Sequence, residues 1–169
     1  MKAKKMTELA LLTGIALVIF VVELQIPNPF PIPGIKLGLA NIVTIYAMYH
    51  YRACEVMMVV GVRIFLAAIF GGNMTALLYS FAGSVLCVAG MLFLKRIIDS
   101  SHIWLSSVFG AVLHNSGQIA VAVFMIGKGI IGYFPFLIVS GCLAGAFTGF
   151  CAQLITKRFL KKDISKDKM

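Results

Sequence analysis

The fold class this sequence predicts is an all-α integral membrane protein, a bundle of six transmembrane helices with N and C termini cytoplasmic. Three observations point there. The chain of 169 residues is 60% hydrophobic and 12% charged, with a mean hydropathy of +0.98, more apolar side chain than a soluble domain of this size can hide. The apolar residues fall into runs close to the ~20 that cross a bilayer. Basic residues gather at the ends of those runs, almost all on one side.

A single membrane domain is expected. Lys2, Lys4 and Lys5 precede span one, Thr7 to Gln25. Such a start resembles a signal peptide, but no A-x-A pattern follows and further apolar spans do, which favours an uncleaved first helix. Span two, Leu37 to Tyr51, is short and is read as tilted or as beginning inside the protein. Span three, Cys54 to Phe70, stops at Gly71-Gly72-Asn73. Span four, Met74 to Leu94, stops at Lys95-Arg96. A polar link leads to span five, Trp104 to Ile126, and Gly127 to Gly132 reads as a turn. Span six, Tyr133 to Thr156, precedes a polar tail.

Of the 15 basic residues, one set of span ends carries Lys2, Lys4, Lys5, Arg52, Lys95, Arg96, Lys157, Arg158, Lys161, Lys162, Lys166 and Lys168. The other set carries only Lys36 and Lys128. Lysine and arginine stay on the cytoplasmic side, so both termini are expected there. This pattern of charge at span ends also argues against a nucleic-acid partner, which calls for a basic face with interleaved aromatics. The expected location is the cell membrane.

The chain's most distinctive stretch is Pro27-Asn-Pro29-Phe-Pro31-Ile-Pro33-Gly34, with Glu23 and Gln25 before it and Lys36 and Asn41 after it. Proline at alternate positions removes backbone donors and forbids a continuing helix. The stretch is read as an outward-facing loop above a binding cavity.

Polar residues inside the spans locate that cavity. Arg63 lies near mid-depth in span three, where an unpaired arginine costs at least about 2.5 kcal/mol. It either faces a ligand cavity, snorkels toward the membrane surface or has a structural partner. In span five, His114, Asn115 and Gln118 lie at a similar depth, and His114 and Gln118 share a helix face with Ser107 and Ala111. They either wall a cavity or form interhelical hydrogen bonds worth about 1 kcal/mol each. Glu23, Asn41 and Asn73 sit near the outer ends of spans one, two and three. Glu23 also has two plainer readings, as a surface carboxylate or as a partner of Lys36. The candidate substrate-binding set is Glu23, Lys36, Asn41, Arg63, Asn73, His114, Asn115 and Gln118.

Small residues recur at four-residue spacing, which lets helices approach closely. In span six, Gly141, Gly145 and Gly149 are read as packing within the bundle. In span one, Ala10 and Gly14 lie on the face opposite Glu23 and are candidates for a partner-binding surface. The four cysteines, Cys54, Cys87, Cys142 and Cys151, fall in apolar runs without a C-x-x-C pair and are read as buried structural residues. No phosphate-binding loop, G-x-S-x-G or H-E-x-x-H occurs, and the six acidic residues are too scattered to form a magnesium site. No catalytic residue, metal or cofactor is expected.

The run from Pro27 to Asn41, followed by Ile42-Val43-Thr44, resembles the Gx transporter family, whose members are commonly named heptaprenyl diphosphate synthase component I. That family is similar in size and hydropathy to the substrate-binding S components of energy-coupling factor transporters. The likeness implies a six-helix bundle that captures a small molecule, often a vitamin or its precursor, from outside. It also implies a transmembrane coupling subunit and cytoplasmic ATPases as partners, with docking through small residues of the first helix. Ala10 and Gly14 match that pattern and Val18 departs from it. The synthase name implies instead an accessory membrane subunit beside a soluble prenyl transferase. The aspartate-rich motif of prenyl transferases is absent here.

Overall fold

The structure, a computed structural model, describes residues 3–25, 38–71, 74–98 and 102–166, with the side chains of 24 and 159–166 excepted. Every regular element among them is helical. In chain order these are α1 (Ala3–Gln25), α2 (Asn41–His50), α3 (Ala53–Gly71), α4 (Met74–Leu94), α5 (Ile103–Ile126), a 3-10 helix (Lys128–Tyr133) and α6 (Phe134–Lys166).

Five of the six α-helices are long and apolar enough to cross a membrane; α2 is not among them. Their outward faces carry large apolar side chains: Val18, Phe65, Phe81, Phe109 and Phe147 are all exposed, and Phe124 is 92% exposed. Such a surface calls for lipid around it, and the chain is a multi-pass membrane protein.

Of the two readings of span two, a start inside the protein is the one that fits α2. Ten residues rise about 15 Å, half of the ~30 Å hydrocarbon layer. The helix begins at Asn41, later than the expected Leu37, because Gly38 takes φ +69, a left-handed conformation that suits glycine. The Asn41 N–H then donates to Gly38 O at 2.9 Å. The helix ends where Tyr51 turns extended, at φ −125 and ψ 168. Two other boundaries shift. The segment read as a plain turn after Gly127 is mostly 3-10 helix, and α6 continues ten residues past the expected end at Thr156. Basic side chains at a helix C-terminus complement its dipole, which favours the longer helix.

Helix α5 packs between α4 and α6, α3 between α1 and α4, and α2 closes against α6, α1 and α3. The close crossings use glycine. A Cβ on Gly117 would lie 2.8 Å from both Ala82 O and Gly83 Cα, so α4 and α5 touch backbone to backbone there. One on Gly145 would lie 2.9 Å from Ala111 Cβ, and Ser107 Oγ donates to Gly145 O at 2.7 Å. The small residues of α6 thus pack inside the bundle. Ala10 and Gly14 do not: both are exposed, and a Cβ on Gly14 would meet nothing within 4 Å.

The dry core gathers Met48, Val56, Val60, Met91 and Ile103 toward the lysine-rich end. Side chains tie that end together. Lys5 Nζ lies 2.7 Å from Glu55 Oε1, and Tyr51 O–H donates to Glu8 at 3.1 Å. Lys95 Nζ donates to Met48 O at 2.7 Å, occupying a carbonyl in the last turn of α2. The expectation of buried cysteines fails for Cys54, which is exposed in the first turn of α3; Cys87, Cys142 and Cys151 are half-buried.

Candidate functional site

Helix polarity explains where the hollow part of the bundle lies. The C-terminal ends of α1, α3 and α5 and the N-terminal ends of α4 and α6 meet at the end opposite Lys5, Arg52, Lys95 and Arg158. Because α2 starts late, it fills only the lysine-rich half. A cavity of about 460 Å³ occupies the other half, from Arg63, Gly145 and Thr148 in the middle of the bundle to Glu23, Gly71 and Ile126 at its end.

Arg63 is the eleventh residue of α3 and is only 8% exposed. Its guanidinium lines the cavity and donates to Asn41 Oδ1 at 3.3 Å. Asn41, the first residue of α2, was expected near the outer surface; the half-length helix sets it at mid-depth instead. Glu23 is also 8% exposed, and its Oε1 accepts the Gly38 N–H at 2.5 Å. Burial removes the reading of Glu23 as a surface carboxylate. A polar line therefore runs from Glu23 through Gly38 and Asn41 to Arg63. Among the described residues no carboxylate lies within ion-pair distance of Arg63, although Glu23 acts on it through space.

Helix α5 supplies the facing wall. The His114 ring sits against Gly83, where an added Cβ would come within 3.0 Å of ring atoms, and it pairs with the Gly83 backbone. Asn115 Nδ2 donates to Leu137 O at 2.5 Å, so Asn115 both lines the cavity and bridges α5 to α6. Gln118, one turn beyond His114, lines the cavity with no hydrogen-bond partner among the described residues. Ile64, Leu77, Ile119 and Leu137 form apolar walls around this polar set. The arrangement can orient a small molecule with a polar head and an apolar body. Among the described residues, no three His, Cys, Asp or Glu side chains are placed to hold a metal ion.

Six sequence candidates, Glu23, Asn41, Arg63, His114, Asn115 and Gln118, converge on this cavity. Lys36 and Asn73 lie outside the described residues, as does the Pro27 to Pro33 stretch. Ala10 and Gly14 are remote from the cavity, on the outer surface of α1. Sequence reading missed Gly38, Tyr79, Ser80, Ser140 and Thr148, which also line it. Tyr79-Ser80 carried a faint signal, two adjacent polar groups within apolar span four. The Gly38 contribution is a backbone N–H, which no side-chain pattern reveals.

The family model for heptaprenyl diphosphate synthase component I matches residues 12–155. No curated protein and no solved structure matches the chain.

Proposed function

We propose that this chain, which belongs to the heptaprenyl diphosphate synthase component I family, is the substrate-binding membrane subunit of an importer of the energy-coupling factor type. The observation that carries the reading is the buried Arg63 guanidinium on a cavity wall, with an amide as its partner and no carboxylate within ion-pair distance among the described residues. A charge kept at mid-depth at such cost marks a substrate pathway by default. The cavity opens away from the lysine-rich end, so with that end cytoplasmic it faces outside and captures its ligand there. The chain is not itself the catalyst; energy comes from cytoplasmic ATPases acting through a transmembrane coupling subunit. The exposed Ala10 and Gly14 face of α1 is the contact offered to that subunit.

Co-purification tests this. The tagged chain should bring down a coupling protein and ATPases, and Gly14→Leu should lose them while keeping the melting temperature of the unmodified chain. That variant places a large side chain where nothing lies within 4 Å in the bundle, so only a partner feels it. Recovery of a soluble prenyl transferase in place of ATPases would favour the accessory subunit of isoprenoid diphosphate synthesis that the family name describes.

A further inference from the structure

The cavity holds two buried groups of opposite charge, and each engages a neutral partner. Arg63 donates to the Asn41 amide, and Glu23 accepts the Gly38 N–H. Each is 8% exposed, and both line the same space without forming an ion pair. Two opposite charges in one enclosure ordinarily collapse onto each other, because attraction grows as the dielectric falls. Here the polar line through Gly38 and Asn41 holds them apart. Helix α2 strengthens the asymmetry: its N-terminus, the positive end of its dipole, lies at mid-depth beside Arg63.

We propose, resting on the substrate-capture reading, that the cavity takes an amphoteric small molecule. Its anionic group lies against Arg63, its ammonium or N–H donor against Glu23, and its apolar body along Ile64, Leu77 and Ile119. Such a ligand compensates both buried charges at once. A simple acid answers Arg63 and, among the described residues, brings no cation to Glu23. A prenyl diphosphate fits worse, since even a monophosphate brings about −1.5 to −2 charges and Glu23 opposes them. Gln118, which has no hydrogen-bond partner among the described residues, supplies a further donor and acceptor to the ligand head.

Three probes that share one apolar body separate these cases: L-phenylalanine, 3-phenylpropionate and 2-phenylethylamine. Equilibrium dialysis of the detergent-purified full chain, stripped of carried-over ligand, should rank L-phenylalanine at least about tenfold tighter than either singly charged probe, the gain expected for one further charge-assisted contact. Glu23→Gln should erase the advantage over 3-phenylpropionate, and Arg63→Gln the advantage over 2-phenylethylamine. Melting curves report whether each variant folds, and the ranking in the unmodified chain decides the question even if one does not. If 3-phenylpropionate binds as tightly as L-phenylalanine, the amphoteric assignment is overturned while substrate capture stands. Tighter binding of farnesyl diphosphate with magnesium than of all three probes overturns both and supports the accessory-subunit reading. Absence of binding by every probe up to about 10 mM, beyond the millimolar range of weak ligands, also overturns both.

Discussion

At Arg63 the cost of burial and the use of burial meet. Its hydrogen bond among the described residues goes to a neutral amide, so removing the charge relieves a desolvation cost at the expense of one modest contact. Arg63→Met should therefore abolish ligand binding, read by mass spectrometry of small molecules carried through purification, while shifting the melting temperature little. A large loss of stability would mean that the arginine is structural. Tyr51 shows the opposite balance at the lysine-rich end. Burial first, and then its hydrogen bond to Glu8, push the phenol up to about 12 from 10.0. The folded chain favours the neutral phenol, so this contribution is intact below about pH 10 and is lost as pH rises from there through about 12. Tyr51→Phe should flatten the alkaline fall in melting temperature across that window, and in the unmodified chain Tyr51 should be among the last phenols to ionise by ultraviolet absorbance. Arg63 was legible in the sequence because charge in an apolar run is conspicuous. Tyr51 was not, because its partner Glu8 is 43 residues away.

Among the elements, glycines of similar appearance play different parts. Gly117 and Gly14 both sit in apolar helices, but a Cβ on Gly117 would strike backbone on α4 and one on Gly14 would strike nothing. Backbone cannot swing aside, so Gly117→Leu should destabilise the chain by at least about 1–3 kcal/mol, seen as a lower melting temperature in detergent. Gly14→Leu should leave that temperature unchanged. Spacing alone identified the stripe on α6 but could not say which glycines face a neighbour. The long helices were readable from apolar length and bounding charge. The shortness of α2 was legible, but its start was placed too early because Leu37, Leu39 and Ala40 extend its apolar run, while the helix waits for the left-handed turn at Gly38. Counting residues from the span ends put Arg63 and His114 at one level, and both line the cavity. The Gly38 N–H, a backbone group, left no trace in that count.

In the whole molecule, the late start of α2 divides the bundle into a solid half and a hollow half. Met48, Met91, Ile103 and Val56 are fully buried in the solid half, and the cavity stops above them at Arg63 and Thr148. The molecule is thus a cup, and a cup is watertight. A water-filled path would have to replace packed methionine and isoleucine side chains, which interdigitate as closely as atoms in an organic crystal. The purified chain, reconstituted by itself in a planar bilayer, should leave the electrical resistance of the membrane unchanged, with or without ligand; steady ion currents would show a continuous pore instead. Cells can accordingly carry this chain in excess of any partner without dissipating their ion gradients.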